Sequence, residues 1–269
     1  EEDWILYSPT VMYSVSLLIR LLSQPHDKVL TMNPMYDAFI NVIKENDREL
    51  LSHHLIKEEG TFKIDFDVFE KQAQESALLL LCSPHNPTGR IWSDEEMHRM
   101  IQICKKYQVK IISDEIHMDI RIKDAKHHPL MKYYDEYKEI FTASSSSKTL
   151  NTPGLIGSYV IIPDEKIRDE FLGVTRRRDF LNSASIFGMY ATMIGYTECD
   201  DYINQLNEYI RGNMELVENF IRDELKDFKF QRPEATYLAW IDARDVPFTS
   251  DEIQDALVNV GGVAIMKGE

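Results

Sequence analysis

The chain has 269 residues, 43% of them apolar, enough to bury a substantial core as one large α/β domain or as one domain with a smaller companion. Its formal charge is −15, from 45 acidic against 30 basic residues, and it has no Lys/Arg-rich tract, which argues against nucleic acid and anionic membranes as partners. The longest apolar run, Ala77 to Cys82, is too short to cross a bilayer.

Cys82, Cys104 and Cys199 are scattered without metal-ligand spacing, and no signal peptide is evident. They read as reduced cysteines of a cytoplasmic protein, with no metal centre expected. The chain begins Glu1-Glu2-Asp3 without a methionine and stops at Met266-Lys267-Gly268-Glu269, directly after an apolar run. The expectation is a piece of a longer protein.

Ile5 to Pro9 reads as a strand and turn, and Val11 to Leu22 carries helical apolar spacing. Lys28 to Met32 reads as a strand, followed by Asn33-Pro34-Met35-Tyr36 and a helix to about Lys44. Glu45 to Gly60 is polar and turn-rich, and Ile64 to Gln74 reads as a helix with Asp65 or Asp67 near its start. Ala77 to Cys82 lacks polar alternation, the pattern of an inner parallel strand covered on both faces. Ser93 and Glu96 form a capping box for a helix to about Tyr107, and Val109 to Ser113 is the next strand. Strand, crossover helix and strand make a βαβ unit.

Ile140 to Ala143 and Gly157 to Ile162 are further strands, and Pro163 is expected at the first position of a helix. Asp164 to Leu225 is mostly helical, with a break near Asn182-Ser183. Thr236 to Ile241 reads as a strand, Ser250 as the cap of a helix to about Val260, and Val263 to Met266 as a final strand. The expected class is α/β: a mainly parallel sheet with helices on both faces, followed by a smaller α+β domain, with residues 1–199 and 200–269 as the two parts.

Ligands of open α/β sheets bind outside the carboxyl ends of the strands. Three strands here end in polar groups: Asn86 after Cys82, Asp114 after Ser113, and Lys148 after Ala143. The separations, 28 and 34 residues, are about one strand-helix repeat each, so the three can face one crevice. Each has a plain alternative. Asn86-Pro87-Thr88-Gly89 fits an ordinary turn, Asp114 a loop cap or ion pair, and Ser144 to Lys148 a serine-rich linker with a solvated lysine.

An amide, a carboxylate and a lysine together match the needs of a pyridoxal phosphate ring. The lysine would form a Schiff base, the carboxylate would favour the protonated ring nitrogen, and the amide would donate to the ring phenolate oxygen. His117 could add a second contact near that oxygen, where a packed or solvated ring is the alternative. Backbone N–H groups at the start of the Val11 helix, with Ser145 and Ser147, would hold the phosphate. Tyr36 could stack on the ring or simply belong to the core.

Ser83-Pro84-His85-Asn86-Pro87-Thr88-Gly89, Ser113-Asp114-Glu115-Ile116-His117 and Ser147-Lys148-Thr149-Leu150-Asn151 resemble the fold-type I pyridoxal phosphate enzymes of aminotransferase class I/II. Asp114 to Asp119 and Thr236 to Asp242 are most similar to the MalY/PatB-type cystathionine β-lyases, and ordinary aminotransferases usually carry tyrosine where His117 stands. The resemblance covers essentially the whole chain. It implies the fold-type I transferase fold, pyridoxal 5′-phosphate as cofactor, and a homodimer acting on a small amino-acid substrate. It also implies Lys148 as Schiff-base residue, Asp114 on the ring nitrogen, Asn86 on the phenolate oxygen, Tyr36 on the ring face, and backbone at Val11 and Met12 with Ser145 on the phosphate.

Relatives further carry an N-terminal tyrosine reaching the neighbouring subunit's phosphate and a C-terminal arginine that clamps the substrate carboxylate, and neither has a counterpart in these residues. Ile156 stands where many have a phosphate-binding arginine. The implied reaction is a β-elimination: Lys148 removes the Cα proton, the thiolate leaves, and pyruvate and ammonia follow, with homocysteine as the thiol from cystathionine. An aminotransferase with the same site is the first rival. A catalytically incompetent fragment, or a protein-binding module that retains the site, is the second.

Overall fold

The structure is a computed structural model, and it describes residues 2–58, 60–122, 124–181, 183–266 and 268. Its centre is a seven-stranded sheet in the order β1 (Ile5–Ser8), β9 (Ser158–Ile161), β8 (Ile140–Ser144), β7 (Lys110–Asp114), β6 (Leu78–Cys82), β2 (Lys28–Asn33), β3 (Glu49–His54). Neighbours from β8 to β3 pair in parallel, and β9 is antiparallel to both β8 and β1. All strands except β9 therefore end on one edge. A separate hairpin joins β4 (Ile56–Glu58) to β5 (Thr61–Lys63).

The apolar run at the sheet centre is covered on both faces, as its lack of alternation requires. Leu79 and Leu81 face a cluster with Phe69 of α3 (Phe66–Ala73) and Met97, Met100 and Ile101 of α4 (Asp94–Tyr107). Leu78, Leu80 and Cys82 face the opposite cluster, with Val15, Leu18 and Ile19 of α1 (Val11–Leu22), Phe39 and Ile43 of α2 (Asp37–Lys44), and Phe171 of α5 (Glu165–Gly173). The Ser93/Glu96 capping box forms as expected, with Ser93 N donating to Glu96 Oε2 at 2.8 Å and Glu96 N to Ser93 Oγ at 3.1 Å.

Five expectations are corrected. The polar stretch after Glu45 contains β3, an edge strand whose exposed positions carry polar side chains, and β4. Pro163 precedes the helix it was expected to open: Asp164 is the cap of α5 and accepts from Ile167 N. Thr249, not Ser250, caps α8 (Ser250–Asn259).

Thr236 to Ile241 forms no strand. Thr236 has φ +69°, and its N–H donates to Ile120 O, outside any ladder. Val263 to Met266 likewise pairs with no strand among the described residues, and Met266 is 77% exposed. Helix α6 (Ile186–Glu198) meets α7 (Asp200–Glu224) at Cys199. The break expected near Asn182 falls partly outside the described residues, and the described residues between Arg178 and α6 are not helical.

Candidate active site

The three polar strand ends lie side by side. The register pairs Cys82 with Asp114 and Asp114 with Ala143, so the ends of β6, β7 and β8 are level. Backbone bonds stitch the edge together: Ser83 N donates to Asp114 O and Glu115 N to Ala143 O, each at 2.9 Å. Asn86, half-buried, is four residues beyond β6, in a tight loop closed by His85 N to Arg90 O at 2.8 Å and Gly89 N to His85 O at 2.7 Å.

Asp114 is buried, and its Oδ1 accepts the Ile116 N–H at 3.1 Å. Burial pushes its carboxyl up to about 7, with Glu115 adding to the shift and the Lys148 charge opposing it. His117 is buried as well. Burial first, and the Lys148 charge second, hold its ring down to about 4, so the imidazole is neutral near pH 7. Its Nδ1 is buried without a hydrogen-bond partner, and its ring meets Tyr237 edge-on at 5.7 Å. Lys148 itself is exposed, on the turn that leaves β8, and its charge acts on both Asp114 and His117.

The turn is held from within. Ser145 Oγ donates to Gly157 O and accepts the Ser147 N–H at 3.1 Å. Leu150 N donates to Ser146 O, and Thr152 N to Ser147 O. Strand β1 runs in the same direction as β8, so the start of α1 reaches the same sheet edge. The cap of α1 is Thr10, whose hydroxyl takes the Tyr13 N–H at 3.1 Å, and the helical ladder begins with Ser14 N to Thr10 O. The Val11 and Met12 N–H groups precede that first ladder bond and stand at the positive end of the helix. Tyr36 heads α2, after β2, with its ring 6.0 Å from Phe39 and 38% of its surface exposed.

The residues fit a pyridoxal phosphate ring. A buried carboxyl held near 7 lacks a strong cation partner, and a protonated ring nitrogen is such a partner. The orphaned His117 Nδ1 lies buried on the same edge. Among the described residues no cluster of three or more His, Cys, Asp or Glu could hold a metal ion.

The family model for "Aminotransferase class I and II" matches residues 1–269. The chain belongs to that family. Within it, the chain is 34% identical to Protein MalY of Escherichia coli (strain K12), covering 100% of the chain and 69% of the relative. It is 32% identical to cystathionine beta-lyase PatB of Bacillus subtilis (strain 168), over 98% of the chain and 69% of the relative. Two solved structures superpose closely. A PLP-bound putative aminotransferase from Clostridium difficile 630 gives a TM-score of 0.94 at 35% identity, over 98% of this chain and 68% of that one. The PLP-bound C-S lyase from Staphylococcus hominis gives 0.92 at 29%, over 100% and 68%. The fold is that of the aminotransferase-type enzymes, as the sequence motifs implied.

Several polar residues around this candidate site were given no role of their own by the sequence. Glu115 is buried and accepts from Ser113 Oγ at 3.1 Å, Leu130 N at 2.8 Å and His127 Nε2 at 3.3 Å, which ties the stretch after β7 to the end of that strand. Thr149 donates to Asp119. Tyr237 arrives from more than a hundred residues downstream. The Asp-Glu and Lys-Thr dipeptides were visible as neighbours of site residues, whereas nothing in the sequence marked Tyr237 as a partner of His117.

Proposed function

We propose that this protein is a pyridoxal 5′-phosphate-dependent carbon–sulfur β-lyase acting on cystathionine or cysteine-type thio-amino acids and yielding a thiol, pyruvate and ammonia. The observation that carries the reading is the convergence of Asn86, Asp114 and Lys148 on three adjacent, level strand ends. Similarity to PatB and to the Staphylococcus hominis C-S lyase supports the lyase branch.

In this reading Lys148 would anchor the cofactor, Asp114 would pair with its ring nitrogen, and Asn86, with His117 nearby, would donate to its phenolate oxygen. Tyr36 would cover a ring face, and the N–H groups of Val11 and Met12, with Ser145 and Ser147, would receive the phosphate. When bound, the cofactor supplies an electron sink next to the substrate Cα. Lys148, whose side chain is exposed, would take the proton from Cα once the substrate amine has displaced it as the anchor. Asp114 keeps the ring nitrogen protonated by placing its charge there. His117, neutral near pH 7, offers a ring nitrogen for hydrogen bonding without adding a positive charge.

The same reading takes residues 1–199 as the cofactor domain and 200–269 as part of a second one, and places the protein in the cytoplasm as a homodimer. Three free cysteines are in keeping with a reducing compartment. Exposed Phe187, Tyr190, Met193 and Ile194 on α6 form an apolar surface suited to burial.

The test is thiol release from cystathionine without any keto-acid acceptor, together with a visible absorption band on adding pyridoxal 5′-phosphate that Lys148→Ala abolishes. A strict acceptor requirement would instead favour the aminotransferase, the second reading, to which the Clostridium difficile structure lends support. Failure to form the band would make the chain a non-catalytic relative.

A further inference from the structure

The loop that carries Asn86 and the segment that carries Tyr237 are joined by a single, largely buried cation. Every nitrogen of the Arg90 guanidinium is engaged. Nε donates to Phe62 O at 2.8 Å, and Nη2 to both carboxylate oxygens of Glu96 at 2.8 and 2.7 Å. Nη1 donates to Ile91 O at 3.2 Å and to Glu234 Oε2 at 2.8 Å. The same Glu234 oxygen takes the Ile91 N–H at 2.8 Å. The Arg90 side chain is only 13% exposed, and its fork lies over the buried Trp92 ring at 5.4 Å. Planar, multidentate recognition of two carboxylates and two carbonyls suits arginine and not lysine.

Around this ion the backbone interlocks. Gly89 O accepts from both Glu234 N at 3.0 Å and Ala235 N at 2.9 Å. On its other side the segment reaches the stretch after Asp114: Ile122 N donates to Glu234 O at 2.8 Å and Thr236 N to Ile120 O at 3.0 Å. The next residue is Tyr237, whose ring meets His117. Residues 234–237 thus run between the Asn86 loop and the Asp114–Ile122 stretch, touching both.

We infer that Arg90 and Glu234 are positioning residues: their ion pair clasps residues 233–237 to the Asn86 loop and so sets Asn86 and the His117–Tyr237 pair in register with each other. Neither residue touches the reacting atoms. The inference rests on the cofactor reading for Asn86, and the experiment separates the two.

Amide hydrogen exchange is followed without cofactor in wild type, Arg90→Gln, Glu234→Gln and Arg90→Lys, over residues 85–91 and 233–238. The clasp predicts at least tenfold faster exchange in both segments for each Gln variant, with α1 unchanged, and incomplete rescue by lysine. Faster exchange confined to the mutated residue's own segment overturns it. Glu234→Gln keeps the Arg90–Glu96 pair and so remains informative if Arg90→Gln folds poorly.

The second arm titrates the visible band formed with pyridoxal 5′-phosphate. Loss of the Asn86 donor in Asn86→Ala should move its protonation to higher pH. Arg90→Gln should move it the same way by at least threefold in proton affinity, and the double variant no further than Asn86→Ala alone. Additive shifts overturn action through Asn86. An unmoved band in Asn86→Ala itself would sink the Asn86 assignment, and the exchange arm would still decide the clasp.

Discussion

Thr149, the residue after Lys148, donates its hydroxyl proton to Asp119 Oδ2 across 3.2 Å. Thr149 is 1% exposed and Asp119 partly buried, and burial raises the Asp119 carboxyl above its ordinary value. The bond ties the lysine turn to the stretch after β7, both of which carry candidate site residues. Thr149→Val removes the donor while keeping the shape. It should cost about 1 kcal/mol, the net worth of such a bond plus the loss at its partner. In a double-mutant cycle with Asp119→Ala, measured by urea unfolding, the two effects should be clearly non-additive. Simple additivity would mean that the two side chains do not act as a pair.

How far the chain could be read without coordinates depended on where the information lay. Leu78 to Cys82 was legible because a strand buried on both faces has no polar positions to confuse it. β3 was not: Glu49, Ser52 and His54 lie on an edge strand that needs no apolar alternation. The run Thr236 to Ile241 has strand composition, yet its backbone bonds go to a loop carbonyl at Ile120, so tertiary context overrode propensity. Asn86, Asp114 and Lys148 were findable because a parallel sheet repeats at a nearly fixed interval. Arg90 and Glu234, 144 positions apart, carry no such period.

Leu80 has no exposed surface and lies in the middle of the sheet, packed into the cluster that includes α1, α2 and α5. Leu80→Ala should lower stability by about 2–5 kcal/mol, the transfer term plus the cavity left behind. Val68→Ala, on an exposed position of α3, should cost well under 1 kcal/mol. Chemical denaturation midpoints at constant slope would check both.

Gly89 and Gly212 should respond to alanine in opposite directions. Gly89 has φ +67°, and a Cβ there would come within 2.3 Å of Pro233 Cβ and 2.5 Å of the Ala235 carbonyl oxygen. Gly89→Ala should therefore destabilise by about 2 kcal/mol or more, from left-handed strain and the displacement of residues 233–235. Gly212 sits at an exposed position of α7 with nothing within 4 Å of an added Cβ. Gly212→Ala should stabilise by about 0.5–1 kcal/mol through helix propensity. Thermal melts of the two variants beside wild type give the comparison.

Asp114 gives the protein a pH dependence of defined sign. Its carboxyl is pushed up to about 7 in the folded chain, chiefly by burial, against about 3.8 when exposed. Between those values the unfolded chain has released the proton and the folded chain still holds it, so stability falls as pH rises from about 4 to about 7 and levels off above. The full contribution is of the order of 4 kcal/mol, at 1.36 kcal/mol per unit. His85 and His117, both held near 4 by burial, act in the opposite sense between about 4 and 6.5. A comparison with Asp114→Asn, which can keep the Ile116 bond, cancels them. Without cofactor, wild type should lose stability relative to Asp114→Asn across pH 4 to 7. Added pyridoxal 5′-phosphate should flatten that slope, because a protonated ring nitrogen brings the carboxyl back down. A difference that is flat without cofactor would mean that Asp114 is already paired with a cation in the free protein, Lys148 being the candidate whose charge reaches it.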